Sequence, residues 1–206
     1  MITEIKSRNR TRSDLYCDGV YALTVNTAAI KGRLDVGDEL DPDAFLQEIF
    51  AEEFATALER SYTYLEVRMR SEQEVRNDLK RHGYPVQICD AVVEKLKAQR
   101  FIDDALFSNL WSESKLKSHS LSAVKRQLRQ KGIDRELIGS IESDPEKEQA
   151  KCRAIARKYY LKAGDDQASA RRKAVQALAR RGYAWETIKH ALAEWDEQID
   201  EIDFFQ

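Results

Sequence analysis

The chain repeats itself about every fifty residues, and each copy carries the same helix stop: Leu79-x3-Gly83, Leu128-x3-Gly132 and Leu178-x3-Gly182. Between the first two copies the match runs without a gap at an offset of 49. It pairs Leu58 with Phe107, Tyr62 with Trp111, Ser71 with Ser120, Val75 with Val124, Arg76 with Lys125, Lys80 with Arg129 and Ile88 with Leu137. Apolar residues meet apolar ones and basic residues meet basic ones. The third copy follows at an offset of 50, Val124 onto Ala174 and Ile138 onto Ile188, and its first helix aligns only after a small insertion near Gly164. Self-similarity at this period marks stacked supersecondary units, each with an apolar face that it cannot bury alone. Such a chain is a helical array, and its functional surface is long rather than a single pocket.

Helix boundaries follow from local chemistry. Ser71-x-x-Glu74 is a capping box, in which hydroxyl and carboxylate each satisfy a free backbone amide, worth on the order of 1 kcal/mol. The helix it opens ends at His82-Gly83, and Tyr84-Pro85 starts the next, with Ile88, Val92 and Leu96 in one stripe. Ile102-Asp103-Asp104 opens repeat two, Asp134 caps its third helix, and Asp144-Pro145 opens repeat three. Asp41-Pro42 has the same cap chemistry and starts an acidic helix whose Phe45, Ile49 and Phe50 predict continuation to Phe54.

The first forty residues are of another kind. Leu15-Tyr16-Cys17 and Val20-Tyr21-Ala22-Leu23 are β-prone and joined by Asp18-Gly19, the dipeptide of a two-residue hairpin turn. Ile2 to about Ser7 is expected to add a third strand. So small a sheet is marginal alone and should pack on a helix, the acidic one being the candidate. The expected organisation is residues 1–40 as a β-rich extension, 41–102 as the acidic helix plus repeat one, 103–143 as repeat two, 144–196 as repeat three and 197–206 as an acidic tail.

Charge is segregated beneath a net of −2. Asp35 to Glu53 holds eight acids and no Lys or Arg, Lys115 to Arg135 seven bases against Asp134, and Lys151 to Arg181 ten bases against Asp165 and Asp166. From Glu194 to Asp203 the chain is acidic again. Clustered like charge repels itself, so it implies a partner or a compensating patch. Arg76 and Lys80, and Lys125 and Arg129, are i, i+4 pairs beside the apolar stripe of the middle helices. Arg126 and Lys131 flank the second pair, and repeat three carries Arg171-Arg172-Lys173 and Arg180-Arg181. These eleven residues are the candidate binding set, able to fork onto carboxylates or phosphates; the competing account is a solvated face with cations near helix C-termini.

Other chemistries fit poorly. Asp103-Asp104 reads as cap and first-turn acids, not a catalytic pair. His82, His119 and His190 lack partners at metal-ligand spacing. Cys17, Cys89 and Cys152 are an odd set without CxxC and read as small buried hydrophobes. Gly32-x4-Gly37 has phosphate-loop spacing, but Asp38-Glu39 stands where Lys and Ser/Thr must hold phosphate and magnesium. Tyr62, Trp111 and Tyr160 read as core aromatics rather than base-stacking platforms. With no acid, base or nucleophile constellation, no cofactor or metal is expected and the chain reads as no enzyme. No apolar run approaches the ~20 residues of a membrane helix and no signal pattern opens the chain, so a cytoplasmic location is expected.

Arg68-x-Arg-Ser-Glu-x-Glu-Val75, Leu79-x3-Gly83-Tyr84, Phe101-Ile102-Asp103-Asp104-x2-Phe107-x3-Trp111 and Val124-x3-Leu128-x2-Lys131-Gly132-Ile133, in that order, resemble the RecX family of bacterial RecA modulators. The likeness covers almost the whole chain, including the Asp-Gly turn and Gly37-Asp-Glu-Leu40 seen in part of that family. Ser120 departs from it, standing where many members have Gly before the middle helix of repeat two; it bears on the turn and not on the fold. The resemblance implies a mainly α fold, three tandem three-helix repeats in an elongated curved array of nine helices with a small three-stranded N-terminal extension. It implies a monomer lying in the groove of the RecA filament on single-stranded DNA, where it opposes ATP turnover, strand exchange and RecA-stimulated repressor cleavage. An array of nine helices could extend for roughly 60 to 80 Å and touch several protomers. The alternative, from another class, is a tandem helix-turn-helix-like module that binds single- or double-stranded DNA directly. The acidic tail ending Asp203-Phe204-Phe205 reads as a frayed terminus; the other accounts are a peptide docked by another replication or repair protein and competition with DNA for the basic repeats.

Overall fold

Each of the three helix stops closes by the same hydrogen bonds. Gly83, Gly132 and Gly182 sit at φ +81, +78 and +81°, the left-handed conformation open to glycine at little cost. The following amide reaches back to the leucine carbonyl, Tyr84 to Leu79 at 3.1 Å, Ile133 to Leu128 at 3.1 Å and Tyr183 to Leu178 at 3.2 Å. This is the 6→1 bond of a Schellman cap, and it makes the repeat visible in three dimensions. The structure, a computed structural model, describes residues 1–163 and 166–203; the side chains of 194 and 196–203 are outside that description. The insertion near Gly164 and the terminal 204–206 also lie outside the described residues.

Three strands lead the chain: β1 (Ile2–Ser7), β2 (Arg12–Cys17) and β3 (Val20–Asn26), antiparallel in the order β1-β2-β3. Asp18 and Gly19, both at positive φ, form the expected hairpin turn. Leu15 lies opposite Ile5 on one side and Leu23 on the other. Eleven helices follow among the described residues: α1 (Thr27–Ile30), α2 (Pro42–Glu48), α3 (Phe50–Glu66), α4 (Glu72–Arg81), α5 (Val86–Ala98), α6 (Asp104–Lys115), α7 (Leu121–Gln130), α8 (Arg135–Gly139), α9 (Pro145–Ala163), α10 (Gln167–Arg180) and α11 (Trp185–Asp203). Repeat one is α3–α5, repeat two α6–α8 and repeat three α9–α11; α2 is the expected acidic helix, and α1 is the addition.

The acidic helix is shorter than its periodicity suggests. Asp41 caps α2 as expected, its carboxylate accepting from the amides of Asp43 and Ala44. The helix then ends at Glu48, and Ile49, at φ −93 and ψ 5°, both closes it and precedes α3. Phe45, Ile49, Glu53 and Ala57 are all buried at four-residue spacing, so the apolar phase continues across the break. Periodicity alone is blind to a break that keeps phase.

The chain divides into two compact units, Met1–Asp104 and Ala105–Gln206. In the first, the sheet and repeat one share one core: Leu15 and Val25 from the strands, Phe45 and Ile49, Leu79 from α4, and Ile88, Val92 and Leu96 from α5. Each fully buried aliphatic side chain of this kind contributes about 1.5–3 kcal/mol. A buried ion pair joins the sheet to α3, Arg12 donating to Glu53. The second unit has two cores, one around Phe107, Val124, Leu128 and Ile138, the other around Cys152, Ala156, Ala174, Leu178, Ile188 and Leu192.

Cys89 and Cys152 are buried and Cys17 half-buried, all with free thiols. Burial pushes the Cys89 thiol up, and the Cys152 thiol up to about 11 with Glu148 adding to the effect. Since the thiolate is the reactive form, Cys17 alone of these three should react promptly with a disulfide reagent in the native protein, and all three after denaturation. Prompt labelling of Cys152 without denaturant would contradict the packing of repeat three.

Candidate partner-binding surface

The middle helices α4, α7 and α10 hold corresponding cations in different company. In α4, Arg76 donates to Glu72 at 2.8 Å and to Asp90, and Lys97 also reaches Glu72 at 3.1 Å. Burial alone would raise the Glu72 carboxyl, but the hydrogen bonds from Arg76 and Lys97 outweigh it and hold Glu72 below its ordinary value. Arg76, half-buried in this network, is an intramolecular strut; Lys80 remains exposed. In α7 no acid lies between Leu121 and Ile133. The buried face is Ala123, Val124 and Leu128, which leaves Arg126 and Arg129 exposed and Lys125 half-exposed. None of the three meets a carboxylate among the described residues. The Lys131 ammonium lies over the Trp111 ring at 4.2 Å and the Phe107 ring at 5.7 Å, so the charge itself is held by cation–π contact.

α10 is likewise free of acids from Gln167 to Tyr183. Ala170, Ala174, Ala177 and Leu178 face the core, and Arg172, Lys173 and Arg180 face outward. Arg171 is half-buried. Arg181 is half-buried too, and its Nη1 donates to the Ala177 carbonyl at 2.8 Å, satisfying the end of its own helix. Of the eleven predicted residues, then, Arg126, Arg129, Arg172, Lys173, Arg180 and Lys80 present exposed charge. Arg76 and Arg181 have structural work to do.

A polar seam joins repeats two and three within the second unit. Ser120 caps α7 by accepting from the Ala123 amide, and its hydroxyl donates to the Gly182 carbonyl at 2.5 Å. Ser122 donates to the same carbonyl at 3.1 Å, and the Ser120 amide to the Arg181 carbonyl at 3.1 Å. The departure at Ser120 thus supplies both the cap and a bond between repeats. His119 stands here against Lys115 and Arg181; burial first, then the two cations, lower its proton affinity. Positive charge is therefore concentrated where the two repeats meet.

Asp104 is the first-turn acid of α6, as expected for the Asp103-Asp104 pair. Its carboxylate also accepts from the Glu72 amide at 2.9 Å, so it serves the first turn of α4 as well. Glu148 of α9 does the same for α7, accepting from the Leu121 amide at 3.1 Å. The first helix of a repeat thus helps cap the middle helix of the one before it, a pairing across 32 and 27 residues with no local signature. Burial raises the Asp104 carboxyl, opposed by that amide bond. The three aromatics fall in the core register as expected: Tyr62 packs edge-on to Phe101, Trp111 stacks on Phe107 and Tyr160 is buried against Trp195. Sequence reasoning passed over Arg153, Arg157 and Lys158 as individual residues; all three are exposed on α9, where the four-residue spacing of Arg153 and Arg157 was a signal.

Among the described residues, no group of three or more His, Cys, Asp or Glu side chains is placed to hold a metal ion, and no helix is long and apolar enough to cross a membrane. The sequence matches the first three-helix domain of RecX over residues 57–96, the second over 103–140 and the third over 146–192. Regulatory protein RecX of Clostridium tetani is 30% identical over 197 residues, which cover 92% of this chain and 90% of that one. The chain belongs to the RecX family. Regulatory protein RecX of Amycolatopsis mediterranei is 32% identical over 161 residues, 74% of this chain and 92% of its own length. A crystal structure of regulatory protein RecX aligns at a TM-score of 0.56 with 26% identity, covering 92% of this chain and 98% of that chain. RecX from Lactobacillus salivarius aligns at 0.57 with 19% identity over 71% of this chain and 98% of that one, a likeness of fold alone. The RecX domain matches coincide with α3–α5, α6–α8 and α9–α11, so the helical triplets are the family's own units.

Proposed function

We propose that this RecX-family chain is a non-enzymatic, cytoplasmic monomer that binds the RecA–single-stranded DNA filament. There it inhibits ATP hydrolysis, strand exchange and RecA-stimulated repressor cleavage. One observation carries the reading: α7 and α10, middle helices of adjacent repeats, both present exposed cations without a described carboxylate partner, whereas the matching cation of α4 is neutralised at home. A charge left unpaired on successive repeats suits a partner that is itself a polymer. The relatives' name, regulatory protein, supports a regulator rather than a catalyst. Binding inhibits only where affinity for one filament state exceeds that for another, so the effect must come from contacts that differ between states.

The test compares two titrations. Inhibition of RecA ATP hydrolysis should occur at far lower concentration than binding to bare single strands. Direct DNA binding as the main activity predicts equal concentrations, with affinity for DNA falling by a log–log salt slope of roughly −0.7 per phosphate neutralised. Reversal of Arg171, Arg172 and Lys173 to Glu should weaken inhibition with helix content unchanged. Because Arg171 is half-buried, Arg172→Glu/Lys173→Glu is the cleaner variant. Full inhibition by that double variant would move the contacts off α10.

A further inference from the structure

A second surface of repeat three lies outside the predicted set. Arg153, Arg157, Lys158 and Leu161 on α9 and Trp195 on α11 line an open groove of about 940 Å³. Arg153, Arg157 and Leu161 follow at four-residue spacing, so one helix face runs from cation to cation to aliphatic. The three cations are exposed and meet no carboxylate among the described residues. Leu161 is 74% exposed at the end of the row, an apolar side chain of this size left in water beside fixed positive charge. The groove's aromatic, Trp195, is stacked on Tyr160 at 4.8 Å and 11° between planes, which commits one face of the indole to the core.

We propose that this groove docks an acidic peptide segment bearing an aliphatic or aromatic residue within a helical turn of its carboxylates. Arg153 and Arg157 fork onto carboxylates, which guanidinium geometry favours, and Lys158 adds a point charge. Leu161 and the edge of Trp195 receive the apolar side chain, and that contact separates a peptide from a nucleic acid. A phosphate backbone satisfies the cations but has nothing to bury against an exposed leucine, and the stacking of Trp195 on Tyr160 leaves at most one indole face for a base. The proposal does not rest on the RecA reading, since the groove involves none of the residues assigned to it.

The test uses the full chain and a fluorescent peptide of repeating Asp-Glu-Leu, the same peptide with Ser for Leu, and labelled oligothymidylate. The Leu peptide should bind at least about tenfold more tightly than the Ser peptide, a difference of the size expected for burying one aliphatic side chain. Leu161→Ser should abolish that preference while leaving the Ser peptide's affinity unchanged. Arg157→Gln/Lys158→Gln should weaken both peptides by about tenfold or more. All three positions are exposed, so unchanged circular dichroism is expected and is checked first. Equal binding of the two peptides, no peptide binding, or an unaltered preference in Leu161→Ser overturns the proposal. Tighter binding of oligothymidylate than of the Leu peptide also overturns it, in favour of a nucleic-acid groove.

Discussion

Replacing Glu53 with Ala should destabilise the first unit by about 3–5 kcal/mol, the usual result of removing one partner of a buried ion pair. The Glu53 side chain is fully buried and that of Arg12 only 5% exposed. Glu53 accepts from Arg12 Nη1 at 2.5 Å and from the Asn26 amide at 2.5 Å, so the variant strands a guanidinium and a backbone donor together. Arg12 Nη2 donates to the carbonyls of Thr24 at 3.1 Å and Gly83 at 2.7 Å, and its guanidinium lies over the Tyr84 ring at 4.3 Å. One cation thereby ties β2, β3, α3 and the α4–α5 turn together. Arg12→Met/Glu53→Leu, which removes both charges and keeps most of the volume, should recover the larger part of the loss. Urea unfolding of the two variants checks this; a loss below about 1 kcal/mol for Glu53→Ala would be the value of an exposed pair and would refute the burial.

Gly182→Ala should destabilise the second unit by about 2–4 kcal/mol, combining strain at positive φ with overpacking. The new Cβ would stand 2.5 Å from the Ala123 Cβ and 3.1 Å from the Ser120 hydroxyl, so α7 must move and the Ser120–Gly182 bond must stretch. Ala123→Gly combined with Gly182→Ala removes the closest contact but not the backbone strain, and should recover roughly half of the loss. Gly139→Ala is the control, since a Cβ there meets nothing and its φ is ordinary; it should be neutral or stabilising by up to about 1 kcal/mol. Under the proposed function, Gly182→Ala should also weaken RecA inhibition more than its stability cost explains if α7 and α10 act as one surface, because the seam sets their relative placement. Unchanged inhibition by folded Gly182→Ala would separate the two helices as binding elements.

The contrast between Arg76 and Lys125 shows where reading residues in order stops. They are equivalent in the repeat, and both stand beside an apolar stripe. Arg76 is neutralised by Glu72, one turn back, and by Asp90 on the next helix. Glu72 is visible as an i, i+4 partner; Asp90 is not, because its distance from Arg76 depends on how α4 and α5 cross. Lys125 has no such neighbours among the described residues, and the absence of acids from α7 was already legible as composition.

Local backbone chemistry and hydrophobic period act over a few residues, and they alone determined that this chain makes a hairpin, a capping box, three Schellman-type stops and helices in triplets. The buried Arg12–Glu53 pair, the capping of α4 by Asp104 and of α7 by Glu148, the break at Ile49 and the groove along α9 were decided only by tertiary structure. Each depends on groups brought together across tens of residues, or on a core that accepts a turn without a change of phase. The energy of such contacts comes from exclusion of water, which no stretch of chain achieves by itself.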